Sequence, residues 1–311
     1  MPNYRTEDIR NLTFVGHAGS GKTTLIEALL ERAGVIGEAG TIERGSTTTD
    51  HDPLEKEMQH SLDSAIASLD FEGVHLNMID TAGFPDFRGP TLTGMAATET
   101  TAIVINAHNG VELSTRRLMR RAKQRRLCRI IVVSKIDQVG KNTLASLVDI
   151  IREEFGPECL PINLPSEGLT KIMDCFYDED GETDILSMSD AHEAIIDQVV
   201  EVNEELMEKY LEGEDLSKEE LHDAFEKALR EGHLVPICFT AAHPHNDAEN
   251  PVGIEELLEV IVKLAPNPVE GNARPFIKGG DKENIIHLEP DADKHAIAHV
   301  FNVRIDPFAG K

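Results

Sequence analysis

Eight residues constrain this chain more than any others: Gly16-His17-Ala18-Gly19-Ser20-Gly21-Lys22-Thr23. They follow an apolar run, Asn11-Leu12-Thr13-Phe14-Val15, and precede a helical pattern, Thr24-Leu25-Ile26-Glu27-Ala28-Leu29-Leu30. The spacing G-x-x-x-x-G-K-[ST] between a strand and a helix is that of a phosphate-binding P-loop. Its glycines let the backbone close so that successive N–H groups converge on an anion. The helix that starts near Gly21 adds the positive end of its dipole. Lys22 is placed to reach the outer phosphates, and the Thr23 hydroxyl to ligate Mg²⁺. A glycine-rich turn that merely opens a helix would not need Lys and Thr in this register. The stretch Gly16–Thr24 therefore predicts a nucleoside triphosphate site.

Short apolar runs alternate with amphipathic stretches, the pattern of an α/β domain whose mainly parallel sheet is flanked by helices. Core strands are expected at Leu12–Val15, Val74–Ile79, Ala102–Asn106, Ile130–Val133 and Val235–Phe239. Helices are expected at Lys22–Ala33, Ser114–Leu127, Asn142–Phe155 and Gly253–Leu264. The length of 311 residues allows two or three domains. The pattern divides the chain into a nucleotide domain over 1–160 and 233–266, an inserted α+β subdomain over 161–232, and a tail over 267–311. In the insert, Pro161–Gly181 can supply edge strands, followed by acidic helical stretches at Asp190–Leu211 and Ser217–Arg230. Ser217 and Glu220 have the spacing of a capping box. Ala265-Pro266-Asn267-Pro268 reads as a linker. Ala296–Ile305 alternates like a strand that needs partners further on, as at the entrance to a β domain.

The net charge of −26 disfavours nonspecific binding to nucleic acid or anionic lipid. Most of the excess lies in one segment: Lys171 to Glu231 holds 21 acidic and 5 basic residues, net −16. No run is long and apolar enough to span a membrane, and the N-terminus lacks a signal-peptide core. The four cysteines form no C-x-x-C pair, which predicts reduced, mostly buried thiols. With no Trp there is no base-stacking platform to propose. The composition predicts a soluble, cytoplasmic protein.

Three further motifs specify the nucleotide. Asp80-Thr81-Ala82-Gly83 closes the strand Val74–Ile79, where a carboxylate can hold Mg²⁺ and Gly83 can approach the γ-phosphate. Ser134-Lys135-Ile136-Asp137 closes Ile130–Val133. There Asp137 can accept from N1–H and the exocyclic amine of guanine, which adenine cannot match, and the Lys135 stem can lie along the base. In isolation that tetrapeptide can also describe an N-cap Asp with a solvated Lys, the lesser of the two readings. Thr240-Ala241-Ala242 follows Val235–Phe239, where a backbone N–H would meet the guanine carbonyl. In this order the four motifs predict GTP rather than ATP.

With these residues in hand, the chain resembles the nucleotide-binding domain of elongation factor G, including its inserted subdomain, from about Asn11 onward. Gly16–Thr24, Asp80–Phe87, Ser134–Asp137 and Thr240–Ala242 match that family's motifs in order. Lys209–Glu214 resembles a run in its insert, and Asp306–Lys311 the opening of its second, β-barrel domain. The resemblance implies a P-loop translational GTPase using GTP, GDP and Mg²⁺, with the metal held by Thr23, Ser61 and Asp80. It also implies a ribosome partner for translocation or ribosome recycling, with a ribosomal stalk protein at the acidic insert and no sequence-specific nucleic acid contact. Catalysis would fall to Lys22, Gly83 and position 84. The departures fall there: Phe84 stands where the family carries a water-orienting histidine, and Met58-Gln59-His60-Ser61 where it carries R-G-I-T. A phenyl ring can neither hydrogen-bond water nor titrate. Ser134 and Thr240 replace the usual Asn and Ser.

Other features keep two readings. His17 suits loop packing. His60 can be a solvated loop residue or a replacement for the absent imidazole. The basic run Arg116–Arg129 is either a solvated helix face behind Leu118 and Ala122 or a contact surface. The acidic insert is either a docking site or a solvated surface. Functionally, a ribosome-triggered GTPase competes with a binding switch that hydrolyses slowly or not at all. A P-loop ATPase is disfavoured by Asp137.

Overall fold

The apolar runs become one sheet. The computed structural model describes residues 4–214, 216–244, 248, 250–271, 276–277, 285–286 and 298–303. Its main sheet contains β1 (Ile9–Gly16), β2 (Ala65–Phe71), β3 (Val74–Asp80), β4 (Thr100–Asn106), β5 (Cys128–Ser134), β6 (Cys159–Pro161) and β9 (Val235–Thr240). Their spatial order is β2-β3-β1-β4-β5-β9-β6. Every pairing is parallel except β2 with β3, which are antiparallel with Ala65 opposite Asp80. Strands β4, β5 and β9 are buried along their whole length, as their unbroken Val/Ile-rich runs require. Each such side chain contributes roughly 1.5–3 kcal/mol by leaving water.

The helices that wrap the sheet are α1 (Lys22–Arg32), α4 (Leu113–Arg125), α5 (Lys141–Phe155) and α9 (Ile254–Leu264), with α1 packed on α9 and α4 on α5. Short helices α2 (Pro53–Met58) and α3 (Arg88–Gly94) flank the nucleotide-motif loops. On α4, Thr115, Leu118, Met119 and Ala122 face inward, and two members of its basic side pair with acids: Arg116 with Glu154 and Lys123 with Glu158.

Between β6 and β9 the chain forms a hairpin of β7 (Asn163–Ser166) and β8 (Lys171–Asp174), separate from the main sheet. It continues as α6 (Met188–Val200), α7 (Glu204–Glu212) and α8 (Lys218–Glu231). The single helical stretch expected over Asp190–Leu211 is thus two helices. Asn203 breaks it, because its side chain caps the amides of Glu205 and Leu206. The Ser217–Glu220 capping box forms at α8. Past α9, Ala265 and Asn267 are buried, and the Asn267 side chain accepts from the amides of Val269 and Glu270. Phe276–Ile277 (β10) pairs with Ile285–Ile286 (β11). Within the expected strand Ala296–Ile305, residues 298–303 carry no strand, and Asp306–Lys311 lies outside the described residues. Among the described residues no helix is long and apolar enough to cross a membrane.

Candidate functional site

The four motifs converge at the carboxyl ends of β1, β3, β5 and β9, where open α/β sheets form a ligand crevice. The loop after β1 turns into α1 through Gly21 in the left-handed region, φ 87°, where a side chain would be strained. Lys22 is buried and its Nζ donates to the carbonyls of Gly16 (3.2 Å) and His17 (3.0 Å). Burial pushes its pKa down to about 8, against the pull of Asp80. His17 is clamped from outside the loop, with Nδ1 2.7 Å from Ser114 Oγ and Nε2 3.2 Å from Glu112.

Asp80 ends β3 and is almost fully buried. Thr23 Oγ1 donates to its Oδ2 at 2.7 Å, and Thr49 Oγ1 donates to the same oxygen at 2.9 Å. Oδ1 is buried with no partner among the described residues. Burial raises the carboxyl to about 6, while the Lys22 charge pulls it down. Ser61 Oγ lies 3.4 Å from Thr23 Oγ1 and donates to Asp50 Oδ1 at 2.8 Å; Thr47 donates to Asp50 Oδ2 at 2.9 Å. A buried carboxylate whose Oδ1 has no partner among the described residues, with the Thr23, Thr49 and Ser61 hydroxyls close by, suits a hard cation, which takes oxygen ligands. The residues present therefore fit Mg²⁺. Gly83 lies against the P-loop: a Cβ there would come within 2.6 Å of Ala18 N. Phe84 follows, 39% exposed.

Thr47, Thr49 and Asp50 were not singled out in the sequence. They are brought in by Glu27, a fully buried carboxylate on α1 that accepts from the amides of Gly40 (2.8 Å) and Thr48. The run Ser46-Thr47-Thr48-Thr49-Asp50 was the available signal, since hydroxyl-rich loops can satisfy a buried carboxylate.

On the other side of Gly21 a cavity of about 150 Å³ is lined by Thr24, Ser134, Lys135, Asp137, Thr240 and Ala242, among others. Lys135 is in the left-handed region (φ 57°) and its Nζ donates to Gly19 O at 3.1 Å, so its stem crosses the loop. Ser134 Oγ donates to Ser20 O at 2.7 Å, joining this motif to the P-loop. Thr240 Oγ1 is buried without a partner among the described residues. Ala241 behaves differently from expectation. Its N–H is engaged with Val252 O, and of that turn Thr240 and Ala242 line the cavity.

A phosphate loop, a carboxylate at the next strand end and an Asp/Lys-lined cavity on one sheet edge match a known family model, the elongation factor Tu GTP binding domain, over residues 7–267. The chain belongs to the elongation factor Tu GTP-binding domain family. Within it, the chain is 33% identical over 321 residues to the elongation factor G-like protein of Mycobacterium tuberculosis (strain CDC 1551 / Oshkosh), covering 97% of this chain and 43% of that protein. It is 30% identical over 326 residues to elongation factor G of Thermotoga maritima, covering 98% of this chain and 46% of the relative. The crystal structure of ttk003000868 from Thermus thermophilus superposes with a TM-score of 0.76 at 32% identity, over 86% of this chain and 42% of that one. The chain thus spans less than half the length of the curated relatives it matches.

Proposed function

We propose that this chain is the nucleotide-binding part of a cytoplasmic, ribosome-associated protein that binds GTP and GDP with Mg²⁺ and hydrolyses GTP slowly until a partner assists. The observation that carries this reading is the juxtaposition, across Gly21, of the Lys135/Asp137 cavity and the Lys22–Thr23–Asp80 cluster. The phosphates lie along Gly16–Thr23, with Lys22 turning from its loop carbonyls to the outer phosphates. Guanine lies in the cavity, with Asp137 accepting its N1–H and amine and the amide of Ala242 facing its carbonyl. Thr23, Ser61 and Asp80 hold the metal. When bound, Mg²⁺ neutralises charge developing on the β- and γ-phosphate oxygens. Gly83 supplies a backbone N–H close to the γ-phosphate. Translocation or recycling of ribosomes is the activity this reading favours, with the acidic α6–α8 surface as the place for a ribosomal stalk protein.

Phe84 favours a second reading. Its partly exposed ring follows the Gly83 contact and offers no hydrogen bond to water. The protein would then be a switch that reports GTP or GDP without appreciable hydrolysis. One experiment separates the readings: fluorescent GDP displaced by GTP or ATP, followed by phosphate release with and without ribosomes. GTP binding with ribosome-stimulated release supports the GTPase, and binding without release supports the switch. ATP binding as tight as GTP would refute both.

A further inference from the structure

We propose that the imidazole of His60 orients the attacking water in GTP hydrolysis by this chain, an inference that rests on the GTPase reading above. Three contacts place the ring. Ser61, its neighbour, lies 3.4 Å from the Thr23 hydroxyl, so position 60 is beside the cation-side hydroxyls. Gly83 is pressed against the backbone of His17 and Ala18, so Phe84 leaves that loop beside the outer end of the phosphate cradle. The His60 ring packs on Phe84, centroids 4.5 Å apart at 53°, with Phe87 beyond it at 6.2 Å.

The tilted contact with Phe84 packs the ring against an apolar neighbour that takes no hydrogen bond from its nitrogens. Nδ1 is 3.4 Å from Ser61 O, and Nε2 has no protein partner among the described residues. The neighbouring polar groups are engaged elsewhere. The Thr23 and Thr49 hydroxyls are on Asp80, the Ser61 hydroxyl is on Asp50, and both ring nitrogens of His17 are taken by Ser114 and Glu112. Phe84 and Phe87 have nothing to offer water. His60 thus brings to this corner a packed ring and a nitrogen without a partner among the described residues.

In the step itself the water oxygen bonds to the γ-phosphorus while the bond to the β–γ bridging oxygen breaks, its electron pair leaving on GDP. The water's proton passes to the released phosphate or to solvent. His60 accepts a hydrogen bond from the water, sets its line of approach and ends unchanged.

The test uses the 311-residue chain in single-turnover phosphate release from γ-labelled GTP, comparing wild type with His60→Ala, His60→Gln and His60→Phe. Fluorescent-GDP affinity is measured on the same samples. Glutamine keeps a hydrogen-bonding group without the ring, and phenylalanine keeps the aromatic contact without the nitrogen. Alanine and phenylalanine should slow release by on the order of tenfold or more, glutamine should hold it within about threefold, and GDP affinity should be unchanged throughout. Wild-type release by His60→Ala, or retention by His60→Phe but not His60→Gln, would overturn the inference while leaving the GTPase reading intact. A wild type that binds GTP and releases no phosphate would overturn the GTPase reading, and the inference with it.

Discussion

Thr49 donates its hydroxyl to Asp80 Oδ2 at 2.9 Å, closing an upstream loop over the end of β3. Because Thr23 uses the same oxygen, two donors crowd one side of the carboxylate while Oδ1 is left buried without a partner among the described residues. The electrostatics follow. Burial holds the carboxyl at about 6, whereas in the unfolded chain it titrates near 4.

A pH dependence results. Between roughly pH 4 and 6 the folded chain keeps a proton that the unfolded chain has lost, so stability is greatest below that window and falls as pH rises through about 6. The magnitude is on the order of 1–3 kcal/mol. Lys22, pushed down to about 8, stays charged across this window and does not contribute to the slope. Without nucleotide or metal added, thermal unfolding from pH 4.5 to 7 should show the fall in wild type and a shallower one in Asp80→Asn. Equal slopes would place the effect elsewhere.

Glu27 holds the loop that carries Thr49. Its two oxygens take the amides of Gly40 and Thr48, and glutamine would turn an NH₂ toward one of those donors. Glu27→Gln should lose roughly 1–3 kcal/mol and speed hydrogen exchange at Gly40 and Thr48. Unchanged protection at both amides would refute this role.

Nucleotide choice rests on Asp137. Asp137→Asn should weaken GTP and GDP binding by roughly 2–4 kcal/mol and improve xanthosine nucleotides, because the new amide donates where the carboxylate accepted. Calorimetry with the guanosine and xanthosine series checks both directions.

The acidic helices invite a charge-reversal experiment. Glu201, Glu204 and Glu208 are exposed on or beside α7. Reversing them to Lys should slow association of the longer protein with ribosomes and flatten its salt dependence, with GTP affinity unchanged. An association rate indifferent to the change leaves a solvated surface.

Of the strands that carry the motifs, β5 and β9 were legible as runs buried at every position, and β1 and β3 by the apolar residues Leu12, Phe14, Val15, Leu76, Met78 and Ile79 that they bury in the core. Strand β2 was not, since its buried positions are Ala65, Ala67 and Leu69, and two of those three are too small to mark a face. The α6–α7 break was missed although Asn203-Glu204-Glu205 has the composition of a helix start; the apolar pattern runs through it. The nucleotide motifs were readable because their spacing is local. The Thr49–Asp80 contact was not, because it depends on Glu27, which in sequence looks like any helix-surface carboxylate until α1 buries it.

All four cysteines are buried, and burial pushes the thiols of Cys128 and Cys159 up to about 12 and those of Cys175 and Cys238 up as well. The thiolate is the reactive form, so maleimide dyes at neutral pH should pass the native chain by. A cysteine introduced at Met58, half exposed at the end of α2, would then take the label alone. A fluorophore there sits two residues from His60 and would report, in real time, each movement of the loop that Thr49 and Ser61 fasten.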